Sequence, residues 1–343
     1  MADGAACTHD RLQPVPERCV TDPAALETLL GDTEAPFVVR GLARDWPLVA
    51  AGSRSARGAR DYLLEKAKPR PFEVSVGAPQ DEGRLFYDAA MGMNFRSGRA
   101  HLRDIFEGID KAEGNRDAPT VYLASVDMHE FFEGLFEDNH LALGERSVLS
   151  SIWIGTRTRI AAHNDFPRNL ACCAVGRRRF TLFPPDQFAN LYLGPIDNTP
   201  AGRAISMVDF AAPDFAARPR FEEALRHALV VELEPGDVLH IPSMWWHHVE
   251  ALDAFNVLVN FWWRDTPRWM GQPQDALNHA ILAIRDLPAA EKAIWRQLFD
   301  HYVFENPSHV TDHIPAGARS VLDPLTPESA GRIRAFLLRS LNR

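Results

Sequence analysis

The sequence predicts a mainly β fold, an antiparallel barrel or jelly roll with flanking helices. Short β-rich runs recur about every ten residues between positions 150 and 265, and turn signals such as Pro235-Gly236-Asp237 separate them. Before this region helices mix with strands, and after it the pattern is helical. We therefore expect one domain over 1–265, with a barrel core at about 119–265 and an α/β elaboration at 1–118, followed by a helical region at 266–343.

The N-terminal elaboration contains a helix start at Thr21-Asp22-Pro23. A capping residue there precedes proline at the first helical position, and the helix is predicted to reach Leu30. Phe72-Glu73-Val74-Ser75-Val76-Gly77 alternates with period two, which is typical of a half-buried strand. The other predicted elements are an entry strand at 1–20, a strand at 36–41, and helices at 59–67 and 102–109.

The barrel core begins with a predicted strand at 120–125 and an aromatic helix near 129–136, and the β-rich region follows. Its predicted strands are Ser151–Gly155, Asn169–Val175, Arg179–Phe183, Leu229–Leu233, Val238–Ile241, His248–Leu252 and Val257–Trp263. Helices with apolar positions at three-to-four spacing follow at 273–284, 289–304 and 327–341. They form either an outer layer on the barrel or a dimerisation arm.

The composition indicates a soluble protein with a substantial core, since 46% of the 343 residues are hydrophobic. A net charge of −9 disfavours an extended nucleic-acid groove or attraction to an anionic membrane. The four cysteines are too few for a disulfide framework, and adjacent Cys172 and Cys173 are expected to be inert core thiols. The polar start lacks a signal-like apolar region, and no apolar run approaches the ~18 residues of a membrane span, so we expect a cytoplasmic protein.

The chemistry is concentrated in His163-Asn164-Asp165 and in His247, which lies 84 residues after His163. Residues i and i+2 of a strand face the same way, so His163 and Asp165 should project together into the barrel while Asn164 points away. Two imidazoles and one carboxylate are the ligand set of a facial triad, which leaves positions on iron(II) open for a co-substrate and dioxygen. The pattern predicts a metal-dependent oxygenase with His163, Asp165 and His247 as metal-ligating and catalytic residues.

Several stretches between residues 151 and 263 match one protein family. They are His163-Asn164-Asp165, Asn169, Phe183-Pro184-Pro185-Asp186-Gln187-Phe188, Val208-Asp209-Phe210, Pro235-Gly236-Asp237-Val238-Leu239, Trp245-Trp246-His247-His248 and Val259-Asn260-Phe261-Trp262. These residues resemble the cupin-like JmjC-type oxygenases that depend on iron(II) and 2-oxoglutarate. Within that family the resemblance is greatest to the asparaginyl hydroxylase that inhibits hypoxia-inducible factor. The resemblance implies a double-stranded β-helix with flanking helices, and Fe(II), 2-oxoglutarate and O2 as cofactor and co-substrates.

The resemblance also bears on the tandem histidines. Neighbours on a strand face opposite sides, so only one of His247 and His248 can join the triad. The family places the ligand directly after the tryptophan pair, which selects His247. His248 is then expected to support the site or to lie at the surface.

Further co-substrate residues follow from the same resemblance. Arg178, at the position of a family lysine, would grip the distal carboxylate of 2-oxoglutarate. Tyr122 matches the tyrosine that hydrogen-bonds this carboxylate. Asn169 and Asn260 match polar residues near the co-substrate and metal, or else cap strand ends. By alternation, the residues expected at a solvated edge are Arg177 and Arg179.

The chain departs from the family in two places. The family's carboxylate-binding threonine, three residues before the first ligand, is Ile160 here, which has no hydrogen-bond donor. Either Arg178 compensates or Arg159 reaches into the pocket. Ala204-Ile205-Ser206 stands where the asparaginyl hydroxylase reads its target carboxamide with polar side chains, so recognition of the same residue is not expected.

The leading functional hypothesis is a dioxygenase that hydroxylates a protein or peptide side chain and releases succinate and CO2. The first alternative is a catalytically silent cupin-fold module that binds a peptide or ligand, which Ile160 favours. The second is a small-molecule cupin metalloenzyme. A homodimer through the C-terminal helices is expected from the family, with packing on their own barrel as the alternative. The candidate substrate contacts are Phe166, Arg168 and Trp262, with Trp153, Phe86 and Tyr87 as further entrance residues.

Overall fold

Two β-sheets enclose a common apolar interior in the part of the chain that the structure describes. This computed structural model describes residues 12–112, 114–115 and 117–342. The strands are β1 (Gln13–Pro14), β2 (Phe37–Val39), β3 (Phe72–Gly77), β4 (Arg84–Leu85), β5 (Phe95–Ala100), β6 (Thr120–Asp127), β7 (Leu149–Gly155), β8 (Thr158–Asn164), β9 (Arg168–Val175), β10 (Arg178–Phe183), β11 (Leu229–Leu233), β12 (Val238–Ile241), β13 (Trp246–Ala251) and β14 (Asn256–Trp263). One sheet has the order β1-β11-β10-β13-β8-β4, and the other has the order β2-β12-β9-β14-β7-β6-β3-β5. The predicted mainly β barrel is confirmed.

The predicted strand ranges include none of β4, β5 and β8, although the argument from His163 and Asp165 assumed a strand at the position of β8. β5 exposes most of its residues and pairs with β3 at the edge of its sheet, so it lacks the buried face that produces a period-two pattern. β8 does not alternate strictly, because its register against β13 shifts between His247 and Val249. Residues 1–11 of the predicted entry strand lie outside the described residues, and within 12–20 the chain forms the short strand β1, which pairs parallel with β11.

The helices of the first unit lie before the first strands of the barrel or between successive strands in the sequence. They are α1 (Pro23–Asp32), α2 (Pro47–Arg54), α3 (Ala56–Lys66), α4 (Leu102–Lys111), α5 (Met128–Phe131), α6 (Leu135–Asp138) and α7 (Phe221–Arg226). α1 begins as predicted, since the Asp22 carboxylate accepts a hydrogen bond from the Ala25 N–H at 2.9 Å. The helix predicted near 129–136 is split into α5 and α6, because Phe132 is extended and Gly134 has a left-handed φ of 66°.

The chain divides into two compact units, the first ending at Arg264 and the second beginning at Asp265. The second unit contains α8 (Pro273–Ala283), α9 (Ala289–Phe299) and α10 (Pro327–Leu341). The predicted extension of α9 to Phe304 is a π-helical turn, Asp300–Phe304. Thr326 and Ser329 form a reciprocal capping box at the start of α10. Among the described residues, no helix combines the length and the apolar character that crossing a bilayer requires.

The barrel interior is apolar between the sheets, and helices cover one outer face. Phe180, Leu182 and Leu258 belong to the buried cluster inside the barrel. Strand β9 is buried on both faces, because α2 approaches its outer side. A Cβ at Gly52 of α2 would lie 2.7 Å from a methyl carbon of Val175, so glycine permits this close approach. Cysteines 172 and 173 are both buried and free, as predicted.

A buried histidine in this core makes folding stability depend on pH. His240 is fully buried between Phe37 and Trp263. Burial, and next the charge of Arg168, lower the pKa of His240 from 6.5 to about 3. As the pH falls below 6.5, the unfolded chain takes up the proton first. The stability associated with neutral His240 is therefore present above pH 6.5 and is lost as the pH falls toward 3.

We predict that the wild-type protein loses about 2 kcal/mol more stability than His240→Phe between about pH 7 and about pH 5. Urea unfolding at the two pH values measures this difference. His313→Phe, at an exposed histidine, is the matched control and should follow the wild type. Equal pH dependence in wild type and His240→Phe would contradict the assignment.

Candidate metal centre

Three side chains that can bind a metal ion converge on the barrel cavity: His163, Asp165 and His247. Their ligand atoms all lie within 4.8 Å of one another. The imidazole ring centroids of His163 and His247 are 4.3 Å apart, and His247 Nε2 lies 3.8 Å from a carboxylate oxygen of Asp165. The structure thus brings the three predicted ligands together.

Strand pairing and backbone hydrogen bonds orient the two histidines. β8 and β13 are antiparallel, and His163 lies directly opposite His247. His163 Nδ1 is 2.9 Å from the carbonyl oxygen of Ala161, and His247 Nδ1 is 3.1 Å from that of Trp245. A carbonyl only accepts, so each Nδ1 carries the hydrogen and each Nε2 keeps its lone pair. Both imidazoles are therefore held in the tautomer that can bind a metal through Nε2.

A turn outside β8 positions Asp165. The strand ends at Asn164, so Asp165 lies just past it. The i, i+2 argument from the sequence had assumed that Asp165 lies on the strand. The Met244 N–H donates to the Asp165 carbonyl at 2.8 Å, and the Ser243 hydroxyl donates to the Phe166 carbonyl at 2.6 Å. Met244 has a φ of 68°, which non-glycine residues rarely adopt. The turn that leads into β13 thereby holds Asp165 beside the histidines.

A β-bulge in β8 turns Ile160 toward the ligands. His163 is opposite His247, whereas Ile160, three residues earlier, is opposite Val249, two residues later. The extra residue on β8 interrupts the alternation, so Ile160 and His163 both line the cavity. Arg159, the alternative cation for the pocket, is not among the cavity residues and interacts with carboxylates outside it. The prediction that Arg159 reaches inward is wrong.

Facing direction distinguishes the tandem histidines. His247 is buried and lines the cavity. Burial, and next the neighbouring His163, lower the pKa of His247, which favours the neutral imidazole that metals bind. His248 is also buried, with its ring centroid 4.4 Å from that of Phe210 in a different apolar cluster. His248 is therefore neither a member of the triad nor a surface residue.

The cavity beside the ligands has a volume of about 350 Å³ and contains a buried cation. Arg178 lines it and is only 4% exposed. Its Nε has no hydrogen-bond partner among the described residues, and burial lowers the pKa of Arg178. Burying a cation is costly unless an anion compensates for the lost solvation. The cavity is therefore complementary to an anionic ligand.

The other predicted co-substrate residues line the same cavity: Tyr122, Asn169 and Asn260. The Asn260 amide donates to Asn169 Oδ1 at 2.7 Å, so the two pair with each other instead of capping strand ends. Burial raises the pKa of Tyr122, which keeps its hydroxyl protonated and able to donate. Its ring centroid lies 5.9 Å from that of Trp153.

The predicted substrate contacts do not all face the cavity. Trp262 lines it, whereas Phe166 is absent from the lining, and the Arg203 guanidinium lies 3.5 Å from the Phe166 ring centroid. Arg168 is absent from the lining, and its guanidinium donates to the carbonyl of Leu30. Arg168 precedes inward-facing Asn169 on β9, so alternation turns it outward. The prediction that Arg168 contacts substrate is wrong.

The remaining predicted residues take ordinary structural positions. Phe86 and Tyr87 are buried in a small apolar cluster. Arg177 and Arg179 lie on the outer face, and their guanidinium groups pair with Glu232 at 3.1 and 3.3 Å.

The sequence did not indicate that two indole groups of the cavity are available as hydrogen-bond donors. The Nε1 atoms of Trp153 and Trp262 are buried and have no acceptor among the described residues. Their ring centroids are 5.9 Å apart, and both rings line the cavity. Alternation on β7 and β14 marks both residues as inward-facing, but it carries no information about an unpaired N–H.

The residues of the site fit an iron(II) ion. Two imidazole nitrogens with free lone pairs and one carboxylate form the facial ligand set, and the adjoining cavity leaves room for further ligands. The backbone carbonyls that orient the imidazoles supply the outer hydrogen bonds that such ligands usually have.

Comparison with known proteins identifies relatives over most of the first unit. The sequence model of the cupin-like domain family matches residues 23–268. HSPB1-associated protein 1 of Rattus norvegicus is 33% identical over 256 residues, covering 70% of this chain and 51% of that protein. Lysine-specific demethylase 8 of Xenopus tropicalis is 28% identical over 238 residues, covering 67% and 48%. tRNA wybutosine-synthesizing protein 5 of Danio rerio is 29% identical over 175 residues, covering 49% and 51%.

These matches span about half the length of each relative. The expectation of a cupin-like domain is confirmed. The narrower likeness to the asparaginyl hydroxylase stays a prediction.

We predict that Mn(II) raises the thermal unfolding midpoint of the wild type and of His248→Ala but not of His247→Ala. A metal at about 100 times its dissociation constant adds about 2.7 kcal/mol to the stability of the state that binds it. Differential scanning fluorimetry with and without Mn(II) measures the shift, each variant being compared with its own metal-free state. A shift retained by His247→Ala and lost by His248→Ala would reverse the ligand assignment.

Proposed function

The chain belongs to the cupin-like domain family, and from this membership we propose that it is an iron(II)- and 2-oxoglutarate-dependent dioxygenase. The proposed reaction hydroxylates a protein or peptide side chain and releases succinate and CO2. Relatives named as lysine-specific demethylases support an enzyme of this broad class. The observation that carries the proposal is the juxtaposition of the triad with buried Arg178 in one cavity.

The chain's own residues divide the cavity between a metal and a dicarboxylate. His163, Asp165 and His247 would hold iron(II). The Arg178 guanidinium would take the distal carboxylate of 2-oxoglutarate, because its planar fork matches a carboxylate. Iron(II) and 2-oxoglutarate, when bound, would supply the oxidising power drawn from dioxygen.

Apolar side chains keep the region between these two ends dry. Phe180, Val249 and Leu258 line the cavity and are buried. Exclusion of water strengthens the electrostatic attraction between Arg178 and a carboxylate. We propose that a substrate side chain approaches the triad near Trp262, which lines the cavity, and near Phe166, which directly follows Asp165.

A protein or peptide substrate is the class that we propose. The relatives named HSPB1-associated protein are named for association with a protein. A relative named for wybutosine synthesis in tRNA makes RNA the competing class. The net charge of −9 disfavours an extended RNA-binding groove here. We also propose a cytoplasmic location, which the free buried thiols of Cys172 and Cys173 favour.

A catalytically silent binding module is the second candidate. Ile160 favours it, because an apolar side chain lines the cavity where the family supplies a hydroxyl. The two candidates differ in one measurable property, the consumption of 2-oxoglutarate. A silent module would bind a ligand in the cavity without forming succinate.

We predict succinate formation when the protein is incubated with iron(II), ascorbate and 2-oxoglutarate, and an increase when a peptide substrate is added. Mass spectrometry of the peptide would show the gain of one oxygen atom. His163→Ala is the control and should form no succinate, because it removes a metal ligand. Binding of 2-oxoglutarate without succinate formation would support the silent module instead.

We predict that Arg178→Ala weakens 2-oxoglutarate binding by at least about tenfold, because it removes a charged hydrogen-bond partner. Thermal shift titrations with Mn(II)-loaded protein measure the affinity. Arg179→Ala is the matched control, since its guanidinium pairs with Glu232 and Glu250 outside the cavity. Equal effects of the two substitutions would argue against the assigned carboxylate site.

We also propose a homodimer formed through the C-terminal helical unit. α9 and the π-helical turn after it expose large apolar side chains: Ile294, Trp295, Leu298, Tyr302, Val303 and Phe304. Exposed apolar side chains in this number are typical of a surface that a partner covers. A second copy of this unit would bury them.

We predict that the wild type is a dimer and that Trp295→Glu is a monomer in size-exclusion chromatography with light scattering. A carboxylate placed in an apolar interface must be desolvated, which disfavours association. Arg296→Glu, at the next position of α9, is the matched control and should stay dimeric. If the wild type is a monomer at every concentration measured, the proposed homodimer is contradicted.

A further inference from the structure

The cavity beside the metal ligands holds more buried hydrogen-bond donors than the chain itself can satisfy. Arg178 Nε and the indole nitrogens of Trp153 and Trp262 have no acceptor in the described part of the chain. All three side chains line the cavity. An unpaired buried donor is costly, so a surplus of donors points to a ligand rich in acceptor oxygens.

Strand register places the backbones of the two tryptophans at different positions along the barrel. Trp153 is opposite Leu258, which is in turn opposite Cys173. Trp262 is opposite Asn169, four residues further along β14. At the rise of a strand, four residues correspond to about 13 Å. The side chains nevertheless meet, because the two ring centroids are 5.9 Å apart, so the other neighbours of each ring decide which indole faces a ligand group.

Arg178 lies at the depth of Trp153. Its charge interacts with Tyr122 and with Cys173, the residue in register with Leu258 and Trp153. The Tyr122 ring centroid is 5.9 Å from that of Trp153. Metal-binding His247 lies four residues along β13 from the position opposite Arg178. Arg178, Tyr122 and Trp153 thus form one group of donors, away from the metal.

Arg178 and Tyr122 together do not supply enough hydrogen-bond donors for all the acceptor positions of a carboxylate, which leaves one for the Trp153 indole. A carboxylate offers about four lone-pair positions. The Arg178 fork can use two of them, and the Tyr122 hydroxyl can use a third. Ile160 lines the same cavity but has no donor. The remaining neighbouring donor is the buried Trp153 N–H.

We infer that the Trp153 indole N–H donates a hydrogen bond to the distal carboxylate of the 2-oxo dicarboxylate co-substrate, in place of a hydroxyl at position 160. This inference rests on the proposed function, because it assumes that 2-oxoglutarate occupies the cavity. Trp153 is then a specificity-determining residue, since it favours a dicarboxylate over a 2-oxo acid with an apolar end. The contact is assigned to Trp153 rather than to Trp262 because the Trp153 ring lies 5.9 Å from the Tyr122 ring.

The test compares two ligands by isothermal titration calorimetry on the full chain loaded with Mn(II). The ligands are 2-oxoglutarate and 2-oxopentanoate, which has a methyl group in place of the distal carboxylate. Trp153→Phe keeps an aromatic ring but removes the N–H, and Trp262→Phe makes the same change at the other indole. Ile160→Thr restores a hydroxyl and is combined with Trp153→Phe. Near-ultraviolet circular dichroism checks that each variant is folded.

We expect Trp153→Phe to weaken 2-oxoglutarate binding by about tenfold or more while leaving 2-oxopentanoate binding unchanged. Adding Ile160→Thr should recover most of the lost affinity, and Trp262→Phe should not select between the ligands. The inference is overturned if the wild type binds 2-oxoglutarate and folded Trp153→Phe binds it equally well, or if both ligands lose affinity equally; the proposed function then stands. If Mn(II)-loaded wild type binds no 2-oxoglutarate, the proposed function fails together with the inference.

Discussion

The antiparallel pairing of β8 with β13 is the constraint on which the site depends. It places His163 opposite His247, and the carbonyl two residues before each histidine then fixes the imidazole tautomer. Asp165 is added from beyond the strand end, where the Met244 turn before β13 holds its backbone. A one-residue slip of this pairing would turn a histidine out of the cavity, so the register of two strands determines whether a metal site exists at all.

The two ends of the cavity differ chemically because side chains from different strands line them. The β8–β13 pair provides the metal ligands, whereas β10 contributes Arg178, and β6 and β7 contribute Tyr122 and Trp153. Buried apolar side chains separate these ends. A ligand with a chelating group at one end and a carboxylate at the other matches this division, since only such a ligand compensates both for the buried cation and for open metal positions.

Much of the site could be predicted from residue type and spacing. His163, Asp165 and His247 meet as expected, and Arg178, Tyr122, Asn169, Asn260 and Trp262 line the cavity beside them. Arg168 was misplaced because a motif assigns neighbouring residues to a site without testing which face of the strand each one occupies. Ile160 shows the opposite case, since regular alternation from His163 would turn it outward and a bulge brings it inward.

The order of short β-rich runs and turns by itself indicated a barrel, and an unusual pair of ligand motifs by itself indicated metal chemistry. Both signals are local, because they depend on periodicity and on residues close together in the chain. The depth of Trp153 beside Arg178, the unpaired indole N–H and the inward turn of Ile160 depend on registers between strands that are distant in sequence. Periodicity along one strand carries no information about these pairings, so they required the folded barrel.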